Sequence, residues 1–338
     1  MSTARISKDR YRNLRLKEIA QKKLHHGKNI FINPFTPYPV PNFFLFLRWK
    51  FFHKNKFASL YSNEKINPVT INWKTIFKIP GLSITYLKHA SILIKDQDKY
   101  FLVDPIFFNL WFFKDFTPLN FPIDEIPKPH YILITHGHYD HLDLRTARRF
   151  KNYSHFITPL GYQDLLVGFK QISLDWFETY SENKYREIIL LPSNHWTMRK
   201  FFFDYNTSLW GSFLIKTRSG PTIFISGDCA YFDQIQEIGR EFSIDLAIIN
   251  LGAYEPRWLM AKVHMNPPEV VKAFKKLNAH HLMVVHWGTF RLGDEPVYFP
   301  PREIKKEMEN AGMLNRLILI RHGETIKYSN GHAQKINS

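Results

Sequence analysis

A single cysteine, Cys229, stands among 338 residues. One thiol excludes an intrachain disulfide and a cysteine-based zinc module, and it suits a reducing compartment. Lipid-spanning runs are lacking as well. The longest uncharged apolar stretch, 31–47, contains Pro34, Pro37, Pro39 and Pro41. Prolines remove backbone donors and clash with the preceding turn, so this stretch cannot form the helix of about 20 residues that a bilayer requires. No apolar core with a small-residue cleavage site follows the basic start, so no secretory leader is expected. Acidic residues are few: 30 Asp and Glu face 46 Lys and Arg, a formal charge of +16. That imbalance favours anionic partners, whether nucleic acid, a phospholipid surface or a phosphorylated metabolite. Internal repeats and low-complexity segments are absent, and 44% hydrophobic with 22% charged residues is ordinary globular usage. A chain of this length can bury a sizeable core without covalent staples.

The positive charge is concentrated early, where residues 1–57 carry thirteen Lys and Arg against Asp9 and Glu18, a net +11. Tyr11 to Lys23 suits a basic helix, FINPFTPYPVP an extended proline-rich segment, and FFLFLRWKFF an aromatic cluster. These features divide the chain into a basic, aromatic arm over 1–57 and a main domain over 58–338. Two readings of the arm stay open. Its aromatics pack on the domain, or Phe43, Phe44, Leu45, Phe46, Leu47, Trp49, Phe51 and Phe52 enter a membrane interface to which the charge draws them.

Beyond Pro80 short apolar runs recur: LSITYL, ASILIK, YFLVD, YILIT, HFITP, EIILLP, GSFLIKT, TIFISGD, DLAIINL, HLMVVH and RLILIR. Their length and β-branched content predict strands. LDLRTARRFKN, PLGYQDLLVGF, YFDQIQEIGREF and PPEVVKAFKKLNA carry helical periodicity between them, so both classes interleave in one α/β domain. Asp104, His136, Asp228 and His286 fall where strands end, the usual place for a site in a layered α/β fold.

The densest chemistry is YILITHGHYDHLD, in which a strand runs into His136, His138, Asp140 and His141. Imidazoles and a carboxylate suit zinc and related divalent ions, and Gly137 lets a short loop turn several side chains inward. His136 and His138 can converge on one ion while Asp140 and His141, a step further on, reach a neighbour. Two ions need more ligands than one loop supplies. His195 after EIILLP, Asp228 closing TIFISGD and His286 closing HLMVVH are placed to provide them.

This order of ligands, H-x-H-x-D-H and then a His, an Asp and a final His, resembles the dinuclear members of the metallo-β-lactamase superfamily. Within it, HGHYDHLD, TPLGY, SNHW, LWGS, GDCAY, GAYEPRW, VHMNPPE and HWGTF are similar to the family of N-acylphosphatidylethanolamine-hydrolysing phospholipase D. ITYLKHAS, LVDPIFF and RHGETIKY extend the likeness to about 83–328. GAYEPRW and HWGTF are its most specific pieces, because they lie outside the metal motif. Lys88 departs from the family's Gly before His89, CAY after Asp228 replaces a more usual TGY, and Gly137 differs from the common animal form. None of these is a proposed ligand.

The resemblance implies an α/β architecture, an αβ/βα sandwich of two mixed sheets with helices outside, holding two divalent ions with zinc foremost. It implies that His136, His138 and His195 hold the first ion, that Asp140, His141 and His286 hold the second, and that Asp228 bridges them. Two such ions lower the pKa of a shared water and neutralise charge on a phosphodiester transition state. Asp140 is expected to orient the resulting hydroxide. His264, in KVHMN, matches a family histidine near the site and is the candidate proton donor to the leaving alkoxide, with a hydrogen-bonded loop histidine as the competing reading. Asp104 is a candidate acceptor for a ligand histidine, or a turn residue. Tyr254, Glu255 and Arg257 either position a head group or pack their loop. LIRHGET also resembles the nucleophile motif of histidine phosphatases, but thirteen residues after Thr325 cannot build that fold, so His322 is assigned to the last strand and loop.

The expected activity is therefore hydrolysis of N-acylphosphatidylethanolamine to an N-acylethanolamine and phosphatidate. The expected setting is cytoplasmic with peripheral membrane association, and the partner a phospholipid rather than a nucleic acid. One rival is a metal-dependent nuclease or cyclic-phosphodiester hydrolase, which the charge also suits. The other is a non-catalytic membrane-binding protein on the same fold, against which the full set of seven ligands stands.

Overall fold

Strands β1 (Leu82–Lys88), β2 (Ser91–Asp96), β3 (Lys99–Val103), β4 (Tyr131–Leu133), β5 (His155–Pro159) and β6 (Lys170–Leu174) belong to one sheet. A second sheet takes β7 (Thr179–Asn183), β8 (Arg186–Leu191), β9 (Ser212–Lys216), β10 (Thr222–Ile225), β11 (Leu246–Asn250), β12 (His281–Val285) and β13 (Leu317–Ile318). The chain then returns to the first sheet with β14 (Thr325–Ser329) and β15 (His332–Ile336). This computed structural model describes residues 11, 14–36, 43–111, 113–200, 203–329 and 331–336. Parts of the expected arm, residues 1–10, 12, 13 and 37–42, lie outside the described residues, as does the Phe43 side chain.

Both sheets are mixed and follow one plan. The first runs β15-β14-β1-β2-β3 antiparallel and continues β3-β4-β5-β6 parallel. The second runs β7-β8-β9-β10 antiparallel and continues β10-β11-β12-β13 parallel. Alternate side chains divide the first sheet between two cores. Ile92, Ile94, Phe101, Val103, Tyr131 and Leu133 face the second sheet, while Leu93, Leu102 and Ile132 face an outer layer. Strands covered on both faces need to be apolar throughout, which explains the continuous runs in the sequence.

Helices complete the layers. α1 (Leu16–Gln21) buries Leu16, Ile19 and Ala20 in the main core. α2 (Phe43–Phe52) is the aromatic cluster. α3 (Trp73–Lys78) and α4 (Leu144–Phe150) cover the first sheet through Trp73, Ile76, Ala147 and Phe150. α5 (Ile235–Glu241), the short α6 (Arg257–Met260), α7 (Pro267–Leu277) and α8 (Phe299–Asn310) follow in the second half. Ile235, Ile238, Val270, Phe274, Ile304 and Met308 join the main core from α5, α7 and α8. The result is the αβ/βα sandwich expected from the sequence. One expected helix is missing: PLGYQDLLVGF forms turns, with Gly161 and Gly168 at φ +91° and +76°. A Cβ on Gly161 would come within 2.7 Å of the Thr207 carbonyl oxygen, so the chain there packs closer than a helix permits.

Candidate metal centre

The parallel halves of both sheets end at the same edge, and that edge gathers the seven candidate ligands with Asp104 and His264, whereas Tyr254, Glu255 and Arg257 are held by Glu295, Lys56, Glu269 and loop carbonyls. Loops after β3 and β4 bring Asp104 and residues 134–141. Loops after β8, β10 and β12 bring His195, Asp228 and His286. His138 Nδ1 lies 2.9 Å from His136 Nε2 and 3.3 Å from His195 Nε2. Asp228 Oδ2 stands 3.7 Å and 3.8 Å from His136 and His195. On its other flank Asp228 is 3.3 Å from His141 Nε2 and 3.2 Å from His286 Nε2, and Asp140 Oδ2 is 3.6 Å and 3.4 Å from the same two nitrogens. Two groups of imidazoles thus share one carboxylate. His264 Nδ1 stands 3.9 Å from Asp228 Oδ2, so this loop histidine also reaches the centre.

The rings are aimed by their outer nitrogens. Asp104 accepts a bond from His141 Nδ1 at 2.7 Å, and the Val263 carbonyl accepts one from His195 Nδ1 at 3.1 Å. Each bond fixes the outer nitrogen as a donor and turns Nε2 inward. Asp104 also accepts from the Thr135 amide at 2.8 Å, tying β3 to the ligand loop. Asp104 thus accepts from a candidate-ligand histidine, the first of its two sequence readings, and its φ of 40° also places it in a turn. Asn250 Nδ2 donates to Asp228 Oδ1 at 2.9 Å and orients that carboxylate. Several of these residues sit in the left-handed backbone region that side chains avoid: His89 at φ 52°, Asp104 at 40° and His286 at 71°. Strain of this kind persists where the surroundings over-determine it, as they do at functional sites. Gly252 is required here, since a Cβ would lie 2.3 Å from the His286 carbonyl oxygen.

Electrostatics oppose protonation of most rings. Burial holds His136 and His195 well below the usual imidazole range and pushes His138 and His264 down to about 4. His141 moves the other way: burial would lower it, but Asp228, Asp140 and Asp104 outweigh burial and raise it well above. Asp140 and Asp228 stay well below the carboxylate range, because the surrounding histidines overcome burial. The His141 and His286 Nε2 atoms are buried without a hydrogen-bond partner, although each faces carboxylate oxygen. Inward-facing ring nitrogens gathered around carboxylates fit divalent cations in their chemistry. The clusters can therefore bind metal.

His89 joins them without having been singled out as a ligand. Its Nε2 lies 3.1 Å from Asp140 Oδ2, and its ring centroid 4.0 Å from that of His286. The only sequence signal was its place in ITYLKHAS, at the end of a strand. Arg199 had no such signal. Its Nη1 donates to the carbonyls of Gly137 and Leu142, both at 2.8 Å, and its guanidinium lies 4.3 Å from the Tyr139 ring. It clamps the ligand loop from behind. Arg257 is spent on the Tyr254 and His264 carbonyls and on Glu269, which is the loop-packing arrangement. His322 packs behind the His286 turn, 3.0 Å from the Trp287 carbonyl oxygen.

Comparison with known proteins bears on this geometry. Residues 99–287 match the β-lactamase superfamily domain. The chain is 29% identical over 254 residues to N-acyl-phosphatidylethanolamine-hydrolyzing phospholipase D 1 of Caenorhabditis elegans, covering 68% of this chain and 70% of that protein. It is 33% identical over 240 residues to the mitochondrial N-acyl-phosphatidylethanolamine-hydrolyzing phospholipase D of Saccharomyces cerevisiae, covering 66% of this chain. That match spans about half of the yeast protein, 51%. A UPF0173 metal-dependent hydrolase of Thermodesulfovibrio yellowstonii is 24% identical, over 72% of this chain and 91% of its own. Among solved structures, Igni18, a metallo hydrolase of Ignicoccus hospitalis, superposes with a TM-score of 0.58 at 20% identity, covering 73% of this chain and 99% of its own.

Proposed function

The chain belongs to the β-lactamase superfamily and is a metal-dependent hydrolase, and from that premise we propose that it hydrolyses N-acylphosphatidylethanolamine to phosphatidate and an N-acylethanolamine. His136, His138 and His195 would hold one divalent ion, Asp140, His141 and His286 the other, and Asp228 would bridge, with zinc the best match to the donor set. When bound, such ions supply an activated water and neutralise charge on the phosphodiester. The chain's own groups do the rest. Asp140, a carboxylate at neutral pH, accepts a hydrogen bond from the attacking water and points it at phosphorus. His264, held neutral by burial, presents a ring N–H to the leaving oxygen.

A phospholipid substrate is supported by what stands beside this centre. Trp49 of α2 is buried against Met260 and Val263, with Trp196 packed on the same cluster, and the Trp196 ring lies 4.4 Å from that of His138. The outer face of α2 leaves Phe51 and Phe52 exposed to 75% and 84%. An exposed aromatic face on a basic segment suits a bilayer surface, and it adjoins the site through one apolar seam. Within residues 1–57, α2 would act as the docking part, while residues 58–338 carry the candidate ligands. No helix among the described residues is long and apolar enough to cross a membrane. The test is a hydrolysis screen of zinc-loaded protein on vesicles containing N-acylphosphatidylethanolamine, on an oligonucleotide and on a cyclic dinucleotide. Release of phosphatidate from vesicles is the expected result. Cleavage of only the nucleotide substrates overturns the phospholipid reading and favours the nuclease alternative.

A further inference from the structure

A stretch upstream of the matched domain reaches into the centre. Residues 25–36 form a strap across the loops that carry His195 and follow Asp228. At one end Asp175, almost fully buried, accepts bonds from His25 Nε2 at 2.6 Å, His26 Nε2 at 2.8 Å and Lys23 Nζ at 2.5 Å. In the middle the Phe31 amide donates to the Asn206 carbonyl at 2.7 Å. At the other end Asn33 and Thr36 meet the site. Asn33 Nδ2 donates to Asn194 Oδ1 at 2.9 Å and to the His195 carbonyl at 2.8 Å. Its Oδ1 accepts from the amides of Phe35 and Thr36 at 2.9 Å and 3.3 Å. All four hydrogen-bonding positions of that amide are used, two of them on the ligand loop. Thr36 Oγ1 donates to Asn194 Oδ1 at 2.7 Å.

Asn194 relays this hold. Its carbonyl accepts from the Ala230 amide at 2.9 Å, its own amide donates to Cys229 Sγ at 3.3 Å, and its Nδ2 donates to the Tyr231 carbonyl at 3.4 Å. Residues 229–231 immediately follow Asp228. The strap, the residue before His195 and the residues after Asp228 therefore share one network, which bears on the spacing between two groups that face each other at 3.8 Å. We propose that Asn33 and Thr36 are positioning residues for the group formed by His136, His138, His195 and Asp228, so that the N-terminal strap sets the metal affinity of that group. Apart from the shared Asp228, the second ion would rest on Asp140, His141 and His286, none of which the strap contacts among the bonds described above.

This inference rests on the metal reading of the site, and the experiment keeps the two apart. Metal-free protein is titrated with cobalt(II), and the visible d–d absorption and stoichiometry are followed for wild type, Thr36→Val, Thr36→Ser, the Asn33→Ala/Thr36→Val pair, and Leu16→Ala. Leu16 lies in the same N-terminal region and is buried in the core, so its truncation lowers stability without touching the ligand loop. The double variant is expected to weaken one of two binding events about tenfold, as loss of outer-sphere support does, and to alter its spectrum while the other event stays put. Thr36→Val, nearly isosteric, should shift the same event less and remain folded, and Thr36→Ser should restore it. Two wild-type events left unchanged by the variants, or shifted equally by Leu16→Ala, overturn the role of the strap alone. Absence of cobalt binding by wild type overturns the metal reading beneath it.

Discussion

Each histidine of the centre has two ring nitrogens, and the partner of the outer one decides which faces inward. Asp104 does this for His141, while His264 stands at the centre with no ligand role assigned to it. The two residues should therefore fail in opposite ways. Asp104→Asn cannot accept from both the Thr135 amide and His141 Nδ1 as the carboxylate does, and chelator competition should show metal binding weakened about 10- to 100-fold. His264→Ala should retain its metals and lose turnover on phospholipid by about 100-fold or more, the scale of a lost hydrogen bond to developing negative charge. Metal loss in His264→Ala together with full retention in Asp104→Asn would reverse both assignments. Cys229, beside Asp228, stays a protonated thiol at neutral pH, because burial pushes it up to about 12.

At the scale of elements, one carboxylate holds the loop that leads into α6 and on to His264. Glu295 Oε1 and Oε2 accept from the amides of Tyr254 and Glu255 at 3.1 Å and 3.0 Å. Burial nevertheless pushes Glu295 up to about 7, with Glu255 adding to the rise. A folded pKa above the unfolded value means that the native state binds the proton more tightly. Its contribution to stability is present below the unfolded carboxylate range and is lost as pH climbs toward 7. In urea unfolding of metal-free protein, where the low-pKa histidines of the centre impose a slope that rises with pH, Glu295 should add a falling slope between pH 5 and pH 8 worth about 3 kcal/mol at most. Glu295→Gln, which mimics the protonated acid, should remove that falling contribution. An unchanged slope in the variant would assign the pH dependence elsewhere.

For the whole molecule, the charge and the exposed aromatics make a joint prediction. Binding to anionic vesicles should combine a salt-sensitive term from the basic segment with an apolar term from α2. Co-sedimentation of wild type should fall on raising NaCl from about 0.1 M to 1 M, where the Debye length shrinks to about 3 Å. Phe51→Ser/Phe52→Ser should bind less at both concentrations and still cleave a short-chain, soluble substrate at the wild-type rate. Binding unchanged by both salt and the double substitution would remove this surface from the docking step.

Much of this architecture was legible because burial on both faces leaves a strand no choice but continuous apolar residues. LSITYL, ASILIK and DLAIINL are strands β1, β2 and β11 for that reason. The edge strands β6, β7 and β15, with sequences KQISL, TYSEN and HAQKI, carry polar residues on their open sides and have no such signature. The ligand loop was legible too, since His136, His138, Asp140 and His141 lie within six residues and their chemistry needs no fold to be recognised. His89, Asn33 and Arg199 were different. Their bonds join residues 51 to 162 positions apart, and each is an ordinary residue until folding places it against Asp140, His195 or Gly137. Local pattern and metal chemistry are thus properties of the chain itself. The aim of each ring, the sharing of Asp228 and the strap that reaches the His195 loop arise from long-range closure of two sheets, which no short stretch of sequence encodes.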